Sequence, residues 1–238
     1  DLIESGGDIT IGGAIIGHQI GEVSEHTELS TQLRAKGHIH CTLAQYAALK
    51  CEGRLTVSKQ LLHCQVEADS VLAGTEEKAN GKIVGGRYYL GNGLRCGNLG
   101  APSGSLLQII LNKQMDPLIE KQTVLRASLA SLKAEMELVK QHVEQLKQME
   151  KSAAVQEQMA AMVEEFEEHR SIAAAFIADI KQLEEQRRQL LLSVCVEVTQ
   201  QLFAGVESSF GNEVLRTKKE YGPSRIRLSE QGVVVEAL

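Results

Sequence analysis

The chain has 238 residues, 43% of them hydrophobic, and a formal net charge of −6. That is room for one or two domains with a buried core. The acidic balance speaks against a nucleic-acid surface, which needs clustered lysine and arginine. An aromatic content of 3% without tryptophan speaks against stacking platforms for bases or sugars. The five cysteines, Cys41, Cys51, Cys64, Cys96 and Cys195, form no CxxC and no even framework. They read as small buried hydrophobes of a reducing compartment. The longest apolar runs, 106–111 and 190–196, fall far short of the roughly 20 residues a membrane-spanning helix needs, and no signal peptide is visible.

Residues 1–112 carry an internal repeat. Its template is apolar, small, Gly, apolar, apolar at alternate positions: Ile3, Ser5, Gly7, Ile9, Ile11, then Leu33, Ala35, Gly37, Ile39, Cys41, then Leu49, Cys51, Gly53, Leu55, Val57. Weaker copies are Val66, Ala68, Ser70, Leu72, Gly74 and Tyr88, Leu90, Asn92, Leu94, Cys96. Alternation with period two predicts strands. The fourth positions, Ile9, Ile39, Leu55, Leu72 and Leu94, are spaced thirty, sixteen, seventeen and twenty-two residues apart. A period near sixteen predicts a β-solenoid of two or three short strands per coil, with these five residues in one inward ladder. The long gaps would hold an extra coil or loop insertions. The middle glycine suits a corner that needs positive φ. The runs around Gly12 and Gly91 lack the strand–turn–helix context of a phosphate cradle. His38, His40 and Cys41 approach metal-ligand spacing, but a strand would turn the histidines out and the cysteine in. No catalytic constellation stands out, and no cofactor or metal is expected.

Asp116 and Pro117 read as an N-cap followed by Pro at the first helical position. A seam follows with alternating steps of four and three: Leu118, Gln122, Leu125, Leu129, Leu132, Met136, Val139, Val143 and Leu146. A second seam takes Val155, Met159, Met162, Phe166, His169, Ala173, Phe176, Ile180, Leu183, Arg187, Leu190 and Val194. This is coiled-coil spacing. The nine-residue step from Leu146 to Val155 breaks the phase, so the chain is expected to fold back near Lys151 as an antiparallel hairpin; a straight helix in a parallel dimer is the rival. Gln122, His169 and Arg187 are polar seam positions, read as register devices or solvated ends. Met149, Met159 and Met162 cluster near the turn, as core filler or an adaptable tip. Ile172, Phe176 and Ile177 lie in a stretch apolar nearly all round. It is either a high-propensity run packed on the partner helix or an extra contact surface, with the spacing of a helix-in-groove ligand.

After Val194 the period returns to two at Val196 and Val198, and a turn is expected at 229–232. This tail is too short for a core of its own, and a solenoid end needs a cap. The fold class is therefore α+β: a parallel β-helix interrupted by a long antiparallel helical hairpin, with a C-terminal β segment docked on the solenoid. The expected domains are the β-solenoid of residues 1–112, the antiparallel coiled-coil hairpin of 113–193, and a β segment of 194–238 that completes or caps the solenoid.

Gly6, Gly7, Asp8, Ile9, Thr10 and Ile11 open this arrangement. Ile83, Val84, Gly85, Gly86 and Arg87, with Leu99, Gly100, Ala101, Pro102, Ser103 and Gly104, precede the helical part directly. The arrangement resembles the flagellar assembly protein A family, whose members carry a β-helix interrupted by a coiled coil. The family also has a separate N-terminal domain, so the chain reads as the C-terminal part. The resemblance implies a cytoplasmic, non-catalytic protein of flagellar assembly, placed at the flagellated cell pole in polar-flagellated bacteria. It also implies a link to the glucose-specific enzyme IIA of the phosphotransferase system, tying motility to sugar supply. It supplies no catalytic motif and no mapped partner-binding motif. The reading is a scaffold or regulatory interaction protein, compatible with self-association. Its partner surface is placed at Ile172, Phe176 and Ile177, for the dephosphorylated enzyme IIA. The alternatives are a left-handed β-helix acyltransferase, which the missing hexapeptide repeats disfavour, and a hairpin-bearing adaptor of an export system, which five free cysteines disfavour.

Overall fold

The computed structural model describes residues 1–20, 28–148 and 152–238. They form two compact units, one of Asp1–Met115 with Gln189–Leu238 and one of Asp116–Arg188. The first is a β-solenoid with three strand faces per coil.

On the first face, strands Leu2–Ser5, Thr31–Ala35 and Ala47–Cys51 stack in parallel on segments of the long strands Arg54–Ala73 and Lys82–Leu99, followed by Leu107–Ile110. Their register aligns Ile3, Leu33, Leu49, Val66, Tyr88 and Ile109. The second face aligns Ile9, Ile39 and Leu55, and further on Val71, Leu94 and Val196. The third aligns Ile15, Ala44, Leu61 and Ile83. Period-two alternation sends these aliphatics inward, and almost all are fully buried. Each such side chain contributes about 1.5–3 kcal/mol of burial.

The ladder differs from the expected one at its fourth rung: Val71, not Leu72, lies in register with Leu94, and Leu72 pairs with Arg95. The corner between Ala68 and Val71 holds two residues where the corner between Cys51 and Leu55 holds three, and the register shifts there. A one-residue slip moves a strand's side chains to the other face.

The corner glycines also differ from expectation. Neither Gly37 nor Gly53 has positive φ. A Cβ on Gly37 would overlap Asp8 Oδ1, and one on Gly53 would lie 2.6 Å from His38 Nδ1. Close approach of the preceding coil's side chain is what excludes a side chain here. At this corner positive φ appears further along, at Gly93 (φ 126°), and a column of left-handed residues occupies another corner, at Tyr46 (φ 49°), His63 (φ 50°) and Gly85 (φ 61°). The Tyr46 and His63 rings stack there, with centroids 5.3 Å apart and planes 12° apart, which offsets the strain of a non-glycine residue in that region.

Beyond the helices, Cys195–Leu202 lies parallel on Lys82–Leu99, with Val196 opposite Leu94 and Leu202 opposite Leu99. Val206–Phe210 lies parallel on Leu107–Ile110. Three antiparallel strands then close this end: Glu213–Arg216 on Val206–Phe210, Ser224–Ser229 on Cys195–Leu202, and Gly232–Ala237 on Ser224–Ser229 through a tight turn.

A 3₁₀ turn, Lys113–Met115, ends the first segment of the solenoid unit; helix α1, Asp116–Lys147, and helix α2, Ala153–Ser193, supply the second unit, α2 as far as Arg188. Helical backbone thus begins one turn before the expected cap at Asp116. The expected turn at Lys151, and Met149, lie outside the described residues. From Asp116 to Gln189, every described seam position is buried or half-buried, and every other described residue is exposed. No helix is long and apolar enough to cross a membrane, among the described residues.

Candidate functional site

The three residues singled out for partner binding lie on one helix but do not share one face. On α2, Ile172 is 44% exposed and Ile177 40%, while Phe176 is half-buried and Ala173 buried. At 100° per residue, five residues turn about 140°. The two isoleucines therefore flank, one on each side, the buried strip of Ala173 and Phe176. Each adds apolar surface at an edge of that strip.

Polar seam residues meet where the sequence alone did not pair them. Arg187 Nη1 donates to Gln122 Oε1 at 2.8 Å, and Gln122 Nε2 donates to Glu184 Oε1 at 2.9 Å. Arg126 Nη2 donates to the same Glu184 oxygen at 3.0 Å. Gln122 is buried, so both ends of its amide need these partners. His169, the third polar seam position, has a buried Nδ1 with no hydrogen-bond partner among the described residues.

A groove of about 640 Å³ on the helical unit is lined by Val124, Leu125 and Leu183 among Lys121, Asp179 and Gln186. Ile172, Phe176 and Ile177 do not line it. Val124, an apolar residue off the seam and 61% exposed, is the residue that could have pointed to this surface, and the seam pattern passed it over.

The solenoid surface carries several ion pairs. Arg95 Nε lies 3.4 Å from Glu197 Oε2, Arg225 Nη2 donates to Glu197 Oε1 at 2.5 Å, and Arg54 pairs with Glu76. Arg54, Glu76, Arg95 and Glu197 rim a hollow of about 270 Å³. Arg227 grips Glu236 side-on, Nε to Oε2 at 2.8 Å and Nη2 to Oε1 at 2.6 Å, and that hydrogen-bonded guanidinium holds the Glu236 carboxyl below its ordinary range. His38 is a structural cap: its Nδ1 accepts from the Arg54 amide at 2.9 Å. Among the described residues, no group of three or more His, Cys, Asp or Glu could hold a metal ion.

All five cysteines are free. Burial pushes the Cys41 thiol up to about 12 and those of Cys51 and Cys64 up to about 11. Burial also raises the Cys96 thiol and holds the Tyr88 hydroxyl well above its ordinary value. A thiol held neutral is neither nucleophile nor metal ligand, so these side chains serve as core.

No curated protein and no solved structure matches the chain. Residues 1–233 match the family described as the Flagellar Assembly Protein A beta solenoid domain. A three-faced parallel solenoid matched over nearly its whole length leaves one conclusion: the chain belongs to the flagellar assembly protein A β-solenoid family.

Proposed function

We propose that the chain is a non-catalytic scaffold of flagellar assembly in the cytoplasm, a stiff β-solenoid presenting a helical arm to a protein partner. Family membership implies the role in flagellar assembly. The observation that carries the arm is the Gln122–Arg187 hydrogen bond. It joins a residue near the start of α1 to one near the end of α2, as an antiparallel coiled-coil hairpin requires and a parallel dimer of straight helices does not. The partner is the dephosphorylated glucose-specific enzyme IIA, which would couple motility to sugar supply. Ile172 and Ile177, exposed on either side of the packed strip, offer the apolar contact. A phosphate on the partner's histidine would place an uncompensated charge against it.

Calorimetric titration of the chain with enzyme IIA, unphosphorylated and phosphorylated, tests this. Binding by the unphosphorylated form alone is expected. Ile172→Glu with Ile177→Glu should weaken it at least about tenfold, roughly 1.4 kcal/mol, without changing the far-UV circular dichroism. Unchanged affinity in the folded double variant would remove the arm from the interface, and no binding of either form would remove this partner.

A further inference from the structure

The seam divides the outer surface of the helical unit into two flanks. Val124 and Asp179 line one groove together, while Arg126 bonds Glu184. Val124 and Arg126 are two residues apart, about 200° around the helix, so the groove and this bond lie on opposite flanks. Heptad spacing assigns the other residues. On the groove flank, Glu165, Ile172 and Asp179 recur every seven residues along α2, each directly before a seam residue. Glu135 stands in the same place on α1. On the opposite flank, Arg126, Lys133, Lys140 and Lys147 recur every seven residues along α1, each directly after a seam residue. Arg170 stands in the same place on α2.

The two flanks therefore differ in sign and share one repeat. Each also carries exposed apolar residues: Val124, Leu138 and Ile172 on the groove flank, and Ile119, Val163 and Ile177 on the other. Among the described residues, Glu135, Glu165 and Asp179 make no ion pair, and neither does Lys133. Lys140, Lys147 and Arg170 pair with Glu137, Glu144 and Glu167 of their own helices, and all six side chains are more than half exposed. Pairs of that kind hold their cations weakly, so these cations remain open to a further carboxylate.

We infer that the acidic groove flank of one chain docks the cationic flank of a second copy. This rests on the antiparallel hairpin proposed above. Charge selects the pairing. Two groove flanks would set Glu135, Glu165 and Asp179 against their own like, and two cationic flanks would do the same with their lysines. Unlike flanks bring acids to cations at the same seven-residue spacing, and they cover the exposed aliphatics of both. A contact between unlike flanks leaves one flank of each chain open, so it propagates rather than stopping at a dimer.

Sedimentation velocity of the full chain tests this. At low ionic strength the chain should form species larger than a dimer that grow with concentration. Salt shortens the screening length from about 30 Å at 0.01 M to about 3 Å at 1 M, and high salt should return the chain to monomer. Glu165→Lys with Asp179→Lys should hold the chain monomeric, and so should Lys133→Glu with Lys140→Glu, because both flanks then carry one sign. An equal mixture of these two variants should associate again, a recovery that misfolded chains could not show. Val124→Ser with Leu138→Ser should weaken association of the parent at least tenfold without a change of charge. Ile172 and Ile177 stay intact throughout, so the outcome is separate from enzyme IIA binding. A parent chain that stays monomeric at low salt, single-flank variants that associate as the parent does, or a mixture that stays monomeric would overturn the docking. A dimer that ignores salt and grows no further would overturn the hairpin beneath it as well, in favour of paired straight helices.

Discussion

A corner glycine in this solenoid is defined by what sits on it. Gly37→Ala would drive a methyl group into Asp8 Oδ1, the atom that caps the His38 amide. The contact is with the short side chain of an adjacent coil, so relief means losing the cap, a cost of about 1–3 kcal/mol. Urea denaturation should show that loss, and Asp8→Gly should render Gly37→Ala nearly neutral, because the two changes share one contact. The cysteines act through their environment. Burial raises Cys41 from 9.0 to about 12, and Cys51 and Cys64 from 9.0 to about 11. The folded chain holds these protons after the unfolded chain has lost them, so stability is whole below pH 9 and declines as pH rises through those values. A thiol reagent at pH 8 should modify the half-buried Cys195 first, and fast labelling of all five in the native chain would contradict the buried assignment. Most rungs were legible in the sequence because aliphatic, small and glycine positions repeat at one spacing. Leu72 was misplaced because Val71 and Leu72 are both aliphatic, and only the shortened corner after Ala68 decides between them.

At the level of elements, the helical seams were the most legible feature. Apolar spacing alone separated buried from exposed positions along both helices, because a two-sided helix has no other way to hide its hydrophobic stripe. The polar seam positions were not legible as a pair, since Gln122 and Arg187 are distant in sequence and nothing local links them. Their hydrogen bond sets a register that can be extended. Seven residues on from Gln122 is Leu129, and seven back from Arg187 is Ile180, both seam residues. In an antiparallel hairpin they face each other. On a Cys195→Ser background, Leu129→Cys with Ile180→Cys should form a disulfide within one chain; crosslinks found only between chains would restore the parallel dimer. Arg187→Ala should cost about 1–3 kcal/mol, because it strands the buried Gln122 amide. Neither groove nor flanking isoleucines could be ranked from sequence, since exposure of an apolar residue depends on the partner helix.

For the molecule as a whole, the helices interrupt a coil without ending it. Leu107–Ile110 and Cys195–Leu202 lie side by side in chain order on two faces of the solenoid, each stacked on Lys82–Leu99. The chain leaves at one corner and resumes at the next. This placement was half legible: the return to period two at Val194 showed that strands resume and dock on the solenoid, but not whether they complete the interrupted coil or cap it. The closing antiparallel strands were legible only as a turn at 229–232, because strand direction is not written in alternation.

That interruption has a kinetic consequence. Completing the coil means closing a loop of roughly eighty residues between Ile110 and Cys195, and an open loop of that length makes the last rungs slow to form. If the Gln122–Arg187 contact forms first, only about twenty residues of free chain remain, which lowers the closure entropy by about 1 kcal/mol. The helices would then act as a splint during refolding, holding two strand ends within reach before the core has closed. Stopped-flow refolding of Arg187→Ala should be slower than that of the parent by several-fold, with unfolding rates changed less. An unchanged refolding rate would mean that the solenoid seals its last coil without help from the helices.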